Sequence, residues 1–224
     1  MKRPVISLLG HGAYSFADAA RLTRLKSFRI REWFRGRSDE GRKPLFHSDY
    51  DGLTEENLIS FMDLIEVFIA GQLRDRCVSL QAIRRVHATL RDKLETSHPF
   101  CRRELLTDGT KIFVSGLDSE GKKEIIEALT GQKAFPTIIR PFLKSLDYDQ
   151  ASQSAFRWRI RERVVVDPTI CFGQPIVERA GIPTDILNKA YRANAEDAEA
   201  VARWYEITTE DVLAAVHFEL SIAA

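Results

Sequence analysis

The sequence predicts a mainly α-helical protein with a small β component, in which an N-terminal winged helix-turn-helix precedes a C-terminal three-helix bundle that is itself helix-turn-helix-like. Two observations lead to this fold class. Apolar residues recur three and four positions apart over much of the first hundred residues and again near the end of the chain, which is the period of helices with one buried face. The segments rich in β-branched residues are short and are bounded by Gly, Pro or Asp, as in small sheets.

A pair of short helices joined by a tight turn is predicted between Tyr14 and Gly36. Ser15 can cap the first helix, with Asp18 three residues later as in a capping box, and Ser27 can cap the second. The inward stripe of the second helix is Ile30, Trp33 and Phe34. Its outward face carries Arg29, Arg31 and Arg35. Two short helices with a turn of a few residues are typical of the helix-turn-helix, whose second helix enters the major groove of DNA.

A β-wing and two longer helices are predicted to complete a first domain over residues 1–98. The wing is the short basic stretch from Arg42 to Tyr50, and the helices follow Ser60 and Ser79. The next region, residues 99–149, should hold a β-hairpin with a turn at Asp108-Gly109 and a connecting helix near Pro136. This organisation agrees with the length of 224 residues, which allows one large domain or two small ones.

The last third of the chain is predicted to consist of an arm and a helical module. Residues 150–163 are polar with scattered aromatic residues, which indicates a linker or arm. The module, residues 164–224, should begin with a strand that ends at Asp167-Pro168 and continue with three short helices. Thr184 can cap the first of these helices, Asn194 precedes the second, and Thr208, with Asp211 three residues later, caps the third.

Charge is distributed unevenly along the chain, although the formal net charge is only +1. Residues 1–46 contain 11 Lys and Arg against 4 Asp and Glu, a net charge of +7. Residues 162–224 contain 5 against 11, a net charge of −6. A basic N-terminal region favours phosphate binding, and an acidic C-terminal region is better suited to a basic protein partner. The alternative is that both regions are ordinary solvated surface.

The sequence contains no motif that indicates catalysis, so we expect a protein that is not an enzyme and uses no cofactor or metal. The three cysteines have no metal-like spacing and suit a reducing cytosol, and no histidine pair has ligand spacing. The sequence has no nucleophile elbow and no paired acid and base. No apolar run is long enough for a membrane helix, and the N-terminal apolar stretch is too short for a signal peptide. We therefore expect a cytoplasmic location.

Two N-terminal segments together resemble the opening helix-turn-helix of MerR-type winged regulators. They are Tyr14-Ser15-Phe16-Ala17-Asp18-Ala19-Ala20-Arg21-Leu22 and Arg29-Ile30-Arg31-Glu32-Trp33. The shared features are an aromatic-Ser start, a central Ala and a second helix with an apolar-Arg-x-aromatic core. This resemblance implies that Arg29, Arg31 and Arg35 contact DNA and that Lys43 contacts it from the wing.

A second resemblance covers roughly residues 164–220. It rests on Phe172-Gly173-Gln174-Pro175-Ile176-Val177, Gly181-Ile182-Pro183-Thr184, Tyr205-Glu206-Ile207-Thr208 and Asp211-Val212. These segments resemble the small helical module of a widespread prokaryotic family, long of unknown function, whose members are commonly classed as antitoxins of VapBC-like systems. With a MerR-like N-terminal region, the chain resembles the longer VapB-type antitoxins.

The resemblance implies a homodimer that binds its own operator, double-stranded DNA, and neutralises a PIN-like ribonuclease toxin by direct binding. Aromatic and Arg side chains are common anchors at interfaces, so we expect Phe156, Trp158 and Arg159 to contact the toxin. The alternative hypothesis is a stand-alone MerR-like transcriptional regulator that senses a small molecule through its middle region, residues 100–149.

Overall fold

The computed structural model describes residues 9–36, 41, 43–52, 58–105 and 140–223. Within these residues, the protein is mainly helical with a small β component, as predicted. No helix among them combines the length and apolar character that crossing a membrane requires. The predicted hairpin at Asp108-Gly109 and most of the predicted connecting helix lie outside the described residues.

Seven α-helices lie entirely within the described residues. They are α1 (Phe16–Thr23), α2 (Ser27–Arg35), α3 (Phe61–Arg74), α4 (Leu80–Lys93), α5 (Thr184–Ala193), α6 (Ala198–Tyr205) and α7 (Thr209–Ala223). Two strands, β1 (Tyr14–Ser15) and β2 (Leu58–Ile59), pair antiparallel beside the first helices. A second sheet is an antiparallel meander in the order β3-β4-β5-β6-β7. Its strands are β3 (Leu146–Tyr148), β4 (Ala155–Arg161), β5 (Val164–Val166), β6 (Pro175–Val177) and β7 (Ile182–Pro183).

Helices α1 and α2 form the predicted pair, with residues 24–26 as the turn between them. The capping box is present, since Asp18 N donates to Ser15 Oγ at 3.1 Å and Ser15 N donates to Asp18 Oδ2 at 3.1 Å. Arg24 ends α1 in the left-handed region, with φ of 59°. The cap position of α2 is Lys26, which makes no side-chain cap hydrogen bond, so the prediction that Ser27 caps this helix is wrong.

The turn between α1 and α2 is held against α3. Leu25, in the middle of the turn, is buried, and its side chain lies over Gly71. A Cβ atom placed on Gly71 would come within 2.7 Å of Leu25 Cδ1, closer than two carbon atoms can pack. The glycine therefore allows the turn between the two short helices to approach α3 closely.

The stretch predicted as a β-wing contains no strand within its described part, residues 43–50. The amides of Leu45 and Phe46 both donate to the carbonyl of Trp33, at 2.7 and 3.0 Å, instead of pairing with a neighbouring strand. Phe46 packs on Trp33 with ring centroids 6.2 Å apart. The stretch is thus fastened along the end of α2, and the β-structure next to this helix pair is the short β1–β2 ladder. Arg42 lies outside the described residues.

Residues 150–163, predicted as a linker or arm, include β4, which lies inside the larger sheet between β3 and β5. Trp158 is 3% exposed, and its ring lies 4.4 Å from that of Phe68 in α3. The prediction of an arm is therefore wrong. Its arginines make the segment look like a solvated chain, but Arg157 and Arg159 both form ion pairs with Asp147 on β3.

One hydrophobic core joins the N-terminal helices to the sheet, and it runs from Tyr14 on β1 through α3 to Val166 on β5 and Phe218 on α7. The predicted division between residues 163 and 164 falls between β4 and β5, which are hydrogen-bonded neighbours. A second, smaller core lies within the C-terminal module and includes Val177, Leu187 and Val212.

The C-terminal module has the predicted strand followed by three helices, α5 to α7. Thr208 and Asp211 exchange hydrogen bonds at the start of α7, as expected of a cap. The predicted cap at Thr184 is wrong, because Thr184 is the first residue of α5 itself and its hydroxyl donates to the carboxylate of Glu219. Asp197 caps α6.

Direct polar contacts join the C-terminal module to the start of the helix pair. The Tyr14 hydroxyl donates to the Gly173 carbonyl at 2.9 Å, and the Ala13 amide donates to the Phe172 carbonyl at 3.0 Å. Arg21 on α1 lies 3.4 Å from the Glu219 carboxylate on α7. Gly173 has a φ of +83°, and a Cβ atom there would lie 2.0 Å from the Tyr14 hydroxyl oxygen, so only glycine fits.

The burial of Trp158 predicts that the two aromatic residues of β4 contribute very differently to the free energy of unfolding. Replacing Trp158 with Ala should lower the free energy of unfolding by roughly 3–5 kcal/mol, because a large buried ring is lost. Replacing Phe156, which is 43% exposed, should change it by no more than about 0.5 kcal/mol. Urea unfolding followed by circular dichroism measures both. Equal effects of the two substitutions would contradict the packing of β4 against α3.

Candidate nucleic-acid interface

The outward face of α2 is basic, as the sequence predicts. Ile30, Trp33 and Phe34 turn inward and are at most 8% exposed, because their spacing places them on one side of the helix. On the other side, Arg31 and Arg35 are exposed and Arg29 is half-buried. The helix therefore presents guanidinium groups to solvent on the side opposite the core.

Arg29 and Arg31 are available for an external ligand. Neither side chain forms an ion pair or a hydrogen bond within the residues that the structure describes. A guanidinium held in an internal ion pair would have to break that pair before binding a phosphate or a base. Arg29 and Arg31 can therefore bind a phosphate or a base without first breaking an internal ion pair.

The turn adds positive charge that the sequence interpretation assigned only to a connector. Arg24 and Lys26 are both exposed on either side of the buried Leu25. This alternation of basic, apolar and basic residues is the signal that could have identified them, because a buried central residue directs its two neighbours outward. The basic surface therefore begins before α2.

Lys43 lies close to the end of α2, as its predicted role requires. It is exposed, and the two residues after Pro44 donate their amides to Trp33 near the end of the helix. The carbonyl of Lys43 also accepts a hydrogen bond of 2.8 Å from Arg84 on α4. Packing thus places Lys43 near the end of α2, the helix that carries Arg29 and Arg31.

A buried polar cluster holds residues 48–50 against the start of α3. His98 Nε2 lies 3.0 Å from Asp49 Oδ1, and His98 Nδ1 lies 3.9 Å from Asp63 Oδ1. Asp63 Oδ2 accepts from the amides of Ser60 and Asp49, at 3.0 and 3.1 Å, and Ser60 Oγ donates to Asp49 Oδ2 at 2.6 Å. No local pattern predicts this cluster, since Asp49 and His98 are 49 residues apart.

The same three side chains are close enough to hold a metal ion, because one ligand atom from each of Asp49, Asp63 and His98 lies within 4.8 Å of the others. Their oxygens, however, already accept hydrogen bonds from Ser60 and from backbone amides. This arrangement favours a structural role, in which the cluster fixes the segment that follows Lys43.

Ionisation in this cluster depends on its burial and on its mixed charges. Burial and the neighbouring Asp49 carboxylate raise the pKa of Asp63 to about 7. Burial opposes protonation of His98, but its hydrogen bond to Asp49 and the charges of Asp63 and Glu66 outweigh this and raise its pKa to about 9. Burial likewise opposes ionisation of Asp49, yet the contacts with His98 lower the pKa of this carboxyl below its usual value.

The three residues predicted to bind a toxin do not form one surface. Phe156 is exposed, whereas Trp158, two residues along the same strand, is buried against Phe68. Arg159 is partly exposed, but its guanidinium bonds to Asp147 and to Glu178 at 3.0 Å. The assignment of Trp158 as an anchor for the toxin is therefore wrong, because its ring is packed into the core against Phe68 of α3.

The C-terminal module exposes apolar side chains that the sequence interpretation did not assign to binding. Trp204 on α6 is 65% exposed, and Ile186 on α5 and Leu220 on α7 are also exposed. A large indole in solvent is unusual in a protein with a well-formed core. The sequence could have indicated that Trp204 is exposed, because it lies outside the inward stripe of α6, which consists of Val201 and Ala202.

Comparison with known proteins gives a family for part of the chain and a fold for most of it. Residues 164–218 match a protein family described as a protein of unknown function, DUF433. No match was found among curated proteins. The fold is similar to the crystal structure of Rv2018 from Mycobacterium tuberculosis, with a TM-score of 0.72 at 21% sequence identity, over 91% of this chain and 96% of that one. At this identity, the likeness concerns the fold alone.

The buried cluster predicts that stability falls as pH rises from about 6 to 9. His98 has a higher pKa in the folded state, about 9 against 6.5, so its contribution is complete below pH 6.5 and is lost as pH passes 9. The raised pKa of Asp63 acts in the same direction at lower pH, between about 4 and 7. For His98, the rise in pKa from 6.5 to about 9 corresponds to a loss of unfolding free energy on the order of 3 kcal/mol.

Urea unfolding at a series of pH values tests this prediction. Replacing His98 with Gln should flatten the decline in unfolding free energy between pH 6 and 9. Replacing His217, which is exposed on α7, should leave the decline unchanged. A His98→Gln variant whose profile parallels that of the unmodified protein would contradict the ionisation described for the cluster.

Proposed function

We propose that this protein is the antitoxin of a type II toxin–antitoxin system, which binds operator DNA through α1 and α2 and neutralises a PIN-like ribonuclease through direct binding. It is then a cytoplasmic binding protein and homodimer, not an enzyme. The observation that carries the DNA-binding part is the outward face of α2, where Arg29 and Arg31 have no internal ion-pair partners within the described residues.

The dimensions of α2 suit the major groove. An α-helix with its side chains is about 10–12 Å in diameter, and the major groove is about 12 Å wide. In the MerR-like arrangement, the second helix lies in the groove and the first crosses the backbone. We expect Arg29, Arg31 and Arg35 to contact the groove and its phosphates, and Lys43 to contact the flanking backbone. A dimer would read two half-sites about one helical turn apart, or a multiple of this distance.

The proposed toxin contact rests on charge and on the second resemblance. The C-terminal region has a net charge of −6, and a ribonuclease must carry a basic surface to hold RNA. The segment that matches the family of unknown function, residues 164–218, is also the segment that resembles VapB-type antitoxins. Phe156 and Arg159 remain candidates for this contact because both are at least partly exposed. The exposed Trp204 is a further candidate anchor.

One observation favours the alternative of a stand-alone regulator that senses a small molecule. A cavity of about 320 Å³ lies beside the helix-turn-helix turn, where residues 22–24 border it. Its other walls include Pro141, Phe142 and Ser145 from the end of the middle region, together with Trp158. A ligand in this cavity would contact both the turn and the middle region, and so could alter the position of α2.

The DNA-binding proposal predicts that Arg31→Ala weakens binding to a duplex selected from a random library by the unmodified protein. If Arg31 contacts a phosphate, the slope of log affinity against log salt should become shallower by about 0.9. Fluorescence anisotropy at several KCl concentrations measures both quantities. Arg203→Ala, which removes an exposed arginine from α6, is the matched control and should change neither. Unchanged binding by Arg29→Ala and Arg31→Ala variants would refute the role of α2.

The toxin proposal predicts a stable complex with a PIN-like ribonuclease encoded beside this gene. When the two full-length proteins are co-expressed and this chain is tagged, the ribonuclease should co-purify and its RNA cleavage should be suppressed. The charge argument predicts that the complex weakens as salt concentration rises. If no ribonuclease co-purifies while selected DNA is still bound, the regulator alternative is favoured over the antitoxin.

A further inference from the structure

Phe28 is the second residue of α2, and its side chain is 58% exposed. The neighbouring aromatic residues behave differently, since Phe16, Trp33 and Phe34 are all buried in the core. An exposed phenyl ring gains nothing from folding and adds to the apolar surface in water. The core side of α2 is already filled by Ile30, Trp33 and Phe34, so Phe28 is not needed for packing.

The position of Phe28 is that of a residue that reads bases. In a helix-turn-helix, the residues at the N-terminal end of the second helix contact the edges of base pairs. Phe28 lies in the first turn of α2, and Arg31 and Arg35 follow at intervals of three and seven on the same stripe of the helix. A helix placed so that these arginines reach DNA therefore brings the phenyl ring into the groove with them.

The chemistry of the ring restricts what it can read. A phenyl group has no hydrogen-bond donor or acceptor, so it cannot distinguish bases by their polar edges. The major groove offers an apolar group at only one base, the C5 methyl of thymine. We propose that Phe28 is a specificity-determining residue, which packs on a thymine methyl of an A·T pair within each half-site. This inference rests on the proposed DNA binding by α2.

Charge around Phe28 favours DNA over a protein as the partner at this surface. The charged side chains within three residues of Phe28 are Lys26, Arg29 and Arg31, all basic and at least partly exposed, and Arg24 precedes them in the turn. A ribonuclease with a basic RNA-binding surface would be repelled here, whereas duplex phosphates would be attracted. The thymine methyl can then contact the ring while the phosphates on either side meet the cations.

The experiment replaces single thymines by deoxyuridine in the duplex that the full-length protein selects from a random library. Deoxyuridine differs from thymine only by the missing methyl. The unmodified protein should lose affinity by about fourfold at one position in each half-site, the value expected for one buried methyl group. The Phe28→Ala variant should bind the thymine duplex more weakly and should no longer distinguish thymine from deoxyuridine at that position.

Two control variants separate specificity from general binding. Arg31→Ala should bind all duplexes more weakly but keep the discrimination between thymine and deoxyuridine. Phe172→Ala, which removes a similarly exposed phenyl ring from the C-terminal module, should keep both affinity and discrimination. Because Phe28 is exposed, the thermal midpoint of Phe28→Ala should equal that of the unmodified protein, and this excludes misfolding as the cause of its loss.

The possible results distinguish this inference from the proposed function. If a duplex is selected and Arg31→Ala weakens its binding, but no deoxyuridine substitution matters, then α2 binds DNA and the thymine contact is refuted. The contact is also refuted if Phe28→Ala keeps the discrimination. If Phe28→Ala instead abolishes co-purification of a ribonuclease and leaves DNA affinity unchanged, a protein covers the ring. If no duplex is selected at all, both the inference and the proposed DNA binding fail.

Discussion

The packing of Trp158 on Phe68 joins the five-stranded sheet to the N-terminal helices. Through this contact, β4 covers α3, and α3 in turn supports the turn that precedes α2 through Gly71 and Leu25. Without β4, the helix pair would lack one wall of its core, and the C-terminal sheet would lose its connection to the helices. The orientation of the basic helix therefore depends on a residue more than 120 positions later in the chain.

The local elements could be predicted from the sequence because their signals are local. The inward spacing of Ile30, Trp33 and Phe34 was enough to place Arg29 and Arg31 on the outside, and the Ser15–Asp18 capping box marked the start of α1. The interpretation of β4 failed because a strand whose arginines pair with Asp147 and Glu178 has the composition of a solvated arm. Such pairing depends on the neighbouring strands, which no window of the sequence reveals.

Two parts of the candidate site were also beyond sequence reasoning. The cluster of Asp49, Asp63 and His98 is assembled from three separate segments, and each residue taken alone is an ordinary polar side chain. The exposure of Phe28 could not be predicted either, because an apolar residue in a helix is expected to be buried. The hydrogen bond from Tyr14 to Gly173 links the start of the helix pair to the acidic C-terminal module.

The order of the strands determines how the C-terminal segment would behave on its own. The part that matches the family of unknown function starts at Val164, on the middle strand of a five-stranded sheet, and so excludes β3 and β4. A chain made of this segment alone would leave the backbone of Val164, Val165 and Val166 open along one edge. Such an edge readily accepts another strand, so the segment in isolation should assemble with a second copy or borrow a strand from a different chain. In the present protein, β4, which comes just before the matched segment in the chain, supplies that strand in cis.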